Sequence, residues 1–209
     1  MKHIKLTIIL LVLLFAILAC SSVKTVEAPP ANSPQSSASQ PTPMPQLSVP
    51  AESTALPNNS GIDGVKTYPD RVEYHDHVKV VPTATGDLPP VFGAHLAPWQ
   101  NCGIYDQPVE LGSALHSMEH GAVWLTYRPE LPKEQVTELQ NLVRGHGYVL
   151  MSPYLPQKSD VVLTAWGIQL VIDSVPDERV ARFIAFYENG PQNYEPGAPC
   201  SGGVGTPLQ

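Results

Sequence analysis

Residues 21–60 consist mainly of Ser, Pro, Ala, Gln and Thr and carry almost no large apolar side chains. Such a stretch cannot bury enough surface to offset the entropy of being ordered. Any hydrophobic core is therefore confined to residues 61–209, a length that suits a single domain. Proline, at 23 of 209 residues, is about twice as frequent as usual; the excess lies mostly before residue 60 and in later turns, with no glycine repeat of the collagen kind. Residues 20–60 read as a tether, which at roughly 5 to 6 Å times the square root of its length spans on the order of 35 Å, lengthened by its prolines.

Ahead of the tether, Lys2, His3 and Lys5 precede an apolar run of 14 residues, 6–19. A membrane-crossing helix needs about 20 residues, whereas a basic start followed by a shorter apolar stretch is the pattern of a signal peptide. The run ends at Ala19-Cys20-Ser21-Ser22, which resembles a bacterial lipobox with Cys20 as the lipidated residue, so the membrane becomes a partner through that lipid. A signal anchor, or an ordinary cleavage site beside a chance cysteine, is the alternative. Loss of residues 1–19 removes Lys2 and Lys5 and takes the formal charge from −7 to −9, which argues against a nucleic-acid partner.

With Cys20 assigned to lipid, Cys102 and Cys200 remain, in a compartment where disulfides persist. Paired, they close a loop of about 100 residues, for which chain entropy gives about 4 kcal/mol. A thiolate metal ligand or a redox cysteine is the alternative, and the chain has no CxxC to support it.

Residues 122–127, 148–151, 161–166 and 168–172 are rich in β-branched and aromatic side chains and bounded by turn formers, which predicts strands. Between the first two, Pro132 opens a helix with Val136, Leu139, Leu142 and Val143 on one face and Gly145 as its stop. A second helix follows Pro176-Asp177-Glu178, with Val180, Phe183, Ile184 and Tyr187 on one side and Asn189-Gly190 at its end. This order predicts an α+β fold, a mainly antiparallel sheet with two helices on one face. Residues 61–112 read as a loop-rich N-terminal portion with one short strand near 78–81.

Of seven histidines, His3 belongs to the leader and His146 to a turn; the other five, His75, His77, His95, His116 and His120, fall within 46 residues. Side chains two apart share a face of a strand, and those four apart share a face of a strand or a helix. His75 with His77, and His116 with His120, are thus placed to converge on one ion. Neutral imidazole suits zinc and copper, so His95, His116 and His120 form the predicted ligand core, with His77 as fourth contributor. Glu119 lies near both His116 and His120 only if the segment is helical. In that case His116-x-x-Glu119-His120 matches the inverted zinc-peptidase arrangement, in which the glutamate acts as general base. Gly121 and a β-rich run follow at once, where that motif needs a sustained helix, and spacing gives no support for Glu195 as a further ligand. Met118 would favour copper if turned inward, and is otherwise core, as Trp99, Trp124 and Trp166 are core or site wall.

The motifs Pro89-Pro90-x-x-Gly93-x-His95, Gly103-Ile104-Tyr105, His116-Ser117-Met118-Glu119-His120-Gly121 and Ala165-Trp166-Gly167 resemble those of the bacterial family DUF3105 over roughly residues 65–200. In that family the pattern reads P-P-T-S-G-x-H, G-V-Y, H-S-L-E-H-G and A-W-G, in exported or membrane-anchored proteins. Here Val91-Phe92 stands for Thr-Ser and Met118 for Leu, which speaks against hydroxyl groups in the first loop and against Met118 as a general ligand. The resemblance implies no reaction, because none is established for the family.

Three readings of function result. The first is a binding module that captures or delivers copper or zinc and exchanges it with an envelope protein. The second is a metal-dependent hydrolase with Glu119 as base. The third is a structural or interaction lipoprotein whose histidines only hydrogen-bond its loops. No nucleophile elbow, phosphate-cradling glycine loop or CxxC is present, so acyl transfer, nucleotide chemistry and thioredoxin-type redox find no support.

Overall fold

A computed structural model describes residues 59–70, 72–81, 86–195 and 197–208. The predicted signal peptide, Cys20 and nearly all of the tether lie outside the described residues. The chain forms β1 (Lys66–Thr67), a 3-10 turn (Val72–His75), β2 (His77–Val78), β3 (His95–Leu96), β4 (Gly103–Ile104), α1 (Leu111–Glu119), β5 (Val123–Tyr127), α2 (Lys133–Val143), β6 (Val149–Pro153), β7 (Val161–Ala165), β8 (Ile168–Ile172) and α3 (Glu178–Tyr187). Six strands make one sheet in the order β1-β8-β7-β5-β6-β4. The pairs β1/β8, β8/β7 and β7/β5 are antiparallel; β5/β6 and β6/β4 are parallel. The fold is thus α+β on a mainly antiparallel sheet, and α2 is the crossover that lets β6 return parallel to β5.

Every residue of β5, β6 and β7 is buried, because the sheet is covered on both sides. The period of two in these strands separates two cores rather than core from solvent. On one side Val123 and Leu125 of β5, with Val149 and Met151 of β6, meet Leu139 of α2 and Phe183 of α3. On the other, Trp124 and Leu150 meet Ala114, Leu115 and Met118 of α1, together with Phe92 and Trp166. Two helices on one face is therefore correct for α2 and α3, and α1 with the loop-rich N-terminal portion closes the opposite face.

No local sequence signal marks α1 as a helix. Its N-cap is Glu110 rather than Ser, Thr, Asp or Asn, with the side chain accepting from Ser113 N at 2.7 Å, and eight of its nine residues are buried. A helix enclosed on all sides has no polar face to betray its period. The strand expected at 78–81 is instead the two-residue β2, paired parallel with β3 in a small separate sheet. Among the described residues no helix is long and apolar enough to cross a membrane.

α3 starts at Asp177, whose carboxylate caps Arg179 N at 2.8 Å and meets the Arg179 guanidinium at 2.6 Å. These bonds to Arg179 hold the Asp177 carboxyl below its usual range. A lowered folded value means that the stabilisation is present above the ordinary aspartate range and lost as pH falls through the lowered one. Asp177→Ala is expected to cost about 1 kcal/mol in urea denaturation at neutral pH, with the gap to the wild type closing in acid; a pH-independent gap would show that the carboxylate charge is not involved.

Candidate metal centre

The first step in building the centre is the β2/β3 register, which sets His77 directly opposite His95, while His95 N donates to Asp76 O at 3.0 Å. The second is the seating of α1 on β3. A Cβ on Gly112 would lie 2.4 Å from Val81 Cγ2, 2.7 Å from Leu96 Cγ and 3.1 Å from Leu96 N, so only glycine lets the helix approach this closely. One turn later His116 therefore reaches back to the Leu96 carbonyl. His120 caps the C-terminus of α1, and Gly121, with φ at +106°, turns the chain into β5.

Three imidazoles are fixed in the same way. His95 Nδ1 donates to Gly93 O at 2.9 Å, His116 Nδ1 to Leu96 O at 2.8 Å and His120 Nδ1 to Pro199 O at 2.7 Å. A carbonyl oxygen only accepts, so each ring must carry its proton on Nδ1, and in the neutral form Nε2 is left with a bare lone pair. Metal-ligating histidines characteristically have this outer hydrogen bond. His95, His116 and His120 are at most 4% exposed, so these lone pairs are withheld from bulk water.

Burial, followed by the neighbouring rings of His120, His95 and His77, pushes His116 down to about 4, which keeps it neutral. His95 is raised: burial opposes its charged form, and the Glu119 carboxylate and the Gly93 carbonyl outweigh it. Its Nε2 lies 2.9 Å from Glu119 Oε2, a close contact between two buried groups. A lone pair facing a carboxylate requires something positive between them, a proton or a metal ion.

Both Glu119 oxygens are engaged, Oε1 by His75 Nδ1 and Oε2 by His95 Nε2. Burial alone would raise this carboxyl, but the His95 and His75 contacts bring it below its usual range. That leaves it a ligand or counter-charge more readily than a base. His75 continues outward, its Nε2 2.9 Å from Asp70 Oδ2, and it stacks on Tyr194 at 3.6 Å between ring centroids. The expected convergence of His75 with His77 does not occur, because the 3-10 turn ends at His75 and breaks strand alternation; His75 instead supports Glu119.

Two donor sets emerge. His77, His95, His116 and Glu119 each bring one ligand atom within 4.8 Å of the others, and so do His116, His120 and Glu195. His116 and His120 converge, as four-residue spacing implies, but His95 and His120 belong to different sets, which corrects the single His95/His116/His120 core. Glu195, for which spacing gave no support, puts Oε2 3.3 Å from His120 Nε2. The return of the chain after α3 brings it there, with Glu195 N bonded to Glu119 O at 3.3 Å.

Cys102 and Cys200 form a disulfide with a Cα–Cα distance of 5.3 Å, so neither supplies a thiolate. Met118 is wholly buried in the core and belongs to neither set. Trp99 is site wall, its ring 5.1 Å from His120 and 5.9 Å from His116 between centroids; Trp124 is core, and Trp166 is core that also touches His75. His146 stands apart in an ion pair with Glu188 at 2.5 Å.

Alanine would favour an isolated helix over glycine, yet at position 112 it must displace Leu96. Gly112→Ala is expected to lose about 1–3 kcal/mol of stability in urea denaturation, as overpacking does; a gain would mean that α1 is not seated on β3.

Comparison with curated proteins gives no match, and comparison with solved structures gives none. Residues 77–202 match the family described as "protein of unknown function (DUF3105)", a span that includes all of the candidate ligands, and by that match the chain belongs to this family.

Proposed function

We propose that this protein is an exported, lipid-anchored metal-binding module that holds a divalent transition ion, Cu(II) or Zn(II), on His77, His95, His116 and Glu119, for capture at or delivery across the cell envelope. The observation that carries this reading is the set of buried imidazoles whose Nδ1–H groups are tied to backbone carbonyls, with His95 Nε2 facing a Glu119 oxygen at 2.9 Å at the centre. Three nitrogen donors and one carboxylate oxygen suit Cu(II) or Zn(II), and the absence of thiolate or thioether from the set disfavours Cu(I). The disulfide supports an oxidising compartment. A lipid on Cys20 and a tether to residue 60 would hold the domain near a membrane while leaving it free to meet a protein partner. Binding is favoured over hydrolysis because Glu119 Oε1 is held by His75 and the remaining oxygen lies within the donor set as a ligand atom, which leaves none to serve as a base.

The test is elemental analysis of protein purified from its own envelope fraction without an affinity tag, followed by competition titration with Cu(II) and Zn(II). Near-stoichiometric metal is expected in the wild type, and its loss in a His95→Ala/His116→Ala variant whose circular dichroism is unchanged. His77 is exposed, so His77→Ala leaves the core intact; a loss of about tenfold or more in affinity is expected from it. No bound metal, with no uptake on titration, would refute the reading.

Support from His75 gives a second expectation. His75→Phe retains a ring against Tyr194 and removes the contact to Glu119, and it should weaken metal binding about 10- to 100-fold without loss of fold. Unchanged affinity would show that Glu119 does not depend on His75.

A further inference from the structure

The two donor sets share one residue, His116. Its Nδ1 is committed to the Leu96 carbonyl, so it offers a single lone pair, on Nε2, and cannot bridge two ions. An ion held by His77, His95, His116 and Glu119 therefore excludes a His116-bound ion at His120 and Glu195, and the reverse. The sets also differ in character. The first has four donors, of which His95, His116 and Glu119 are at most 4% exposed. The second has three donors, and the Glu195 side chain is 46% exposed. Three protein ligands leave coordination positions open to an incoming donor.

We propose that His116, His120 and Glu195 form an exchange port for the inner site, and that the ion passes between port and site while remaining bound to His116. In the inward step the bonds to His120 Nε2 and Glu195 Oε2 break as bonds to His77, His95 Nε2 and Glu119 form. The ion keeps its divalent state throughout; the carrier or water donors at the port's open positions are released as it moves inward, and the proton held between His95 Nε2 and Glu119 leaves to solvent. The partner suited to such a port is a carrier that presents its own nitrogen or oxygen donors to the open positions, such as a metal-loaded protein or a small chelate. The rings of His116 and His120 lie 4.4 Å apart and those of His116 and His95 4.8 Å apart, so the transfer spans one ring spacing on either side of a fixed ligand. The Nδ1 bond of His120 to Pro199 holds its ring in place, and Pro199 precedes the disulfide-bonded Cys200.

This inference rests on metal binding at the inner site, and the two are separated by measuring affinity and rate independently. A state visited on the way in and out changes both rates equally and leaves the equilibrium alone. The probe is Cu(II) supplied as its glycine complex and removed with a strong chelator, followed by quenching of tryptophan fluorescence, since Trp99 lies beside His116 and His120. Glu195→Gln alters an exposed side chain and is expected to keep the wild-type affinity while slowing loading and release about tenfold. His95→Ala, which dismantles the inner set, is expected to retain one weaker Cu(II) equivalent at the port, and adding Glu195→Gln should abolish it. Unchanged rates in Glu195→Gln, or a loss of affinity in that single variant, would overturn the port while leaving the inner site standing. Absence of Cu(II) binding by the wild type would overturn both.

Discussion

A carboxylate that is 2% exposed stays ionised only if its partners replace the water it has lost, and Glu119 is such a carboxylate. Those partners are His75 on one oxygen and His95 on the other, and they arrive from different parts of the chain. His75 ends a 3-10 turn, His95 begins β3, and Glu119 closes α1. The small β2/β3 sheet and the close contact at Gly112 follow from the need to bring these three elements to one point. The second core, with Trp124, Leu150 and Met118, is the floor on which they rest.

The same burial governs the imidazoles. Each buried ring gives its Nδ1 proton to a main-chain carbonyl, a partner that does not titrate and cannot rotate away. This fixes the tautomer and the ring plane together, so a metal ion would meet preformed lone pairs rather than rings that must be ordered on binding. His95 Nε2 faces Glu119 Oε2 at 2.9 Å, a position in which either a proton or a metal ion satisfies both groups.

Most of the sheet and two of its helices were legible in the sequence because their apolar residues alternate or recur at helical spacing. β5, β7 and β8 begin and end within a residue of the stretches that predict them; β6 runs two residues further, to Pro153. What was not legible depends on contacts that local pattern does not encode. α1 carries Gly112, Ser113, His116, Ser117 and Glu119 in a buried helix, and each looks unhelical or exposed until its tertiary partner is known. Ser117, for example, is satisfied by the Gln100 and Ser113 carbonyls. Four-residue spacing correctly paired His116 with His120, but it could not show that His95 approaches from the other set. Nor could it find Glu195, whose position depends on the chain's return after α3.

That return links the centre to the chemistry of the compartment. Pro199 O accepts from His120, and the next residue is bonded through Cys200 to Cys102, whose own amide donates to Cys200 O at 2.7 Å. Asn101 N and Gly203 N extend the attachment through bonds of 2.8 Å to Val204 O and Asn101 Oδ1. The tail is a strap with few buried apolar side chains of its own, and Val204 and Leu208 are exposed. Hydrophobic burial alone offers little to hold it, so the covalent bond carries much of the task of keeping Pro199 within reach of His120. The inner set depends on this return less directly: its carbonyl anchors are Gly93 and Leu96 and its carboxylate is on α1, while the return touches it through Glu195 N on Glu119 O and through Tyr194 stacked on His75. Beyond the shared His116, the two sets thus rest chiefly on different supports, one on packing and main-chain bonds that persist in any compartment, the other on a disulfide that persists in an oxidising one.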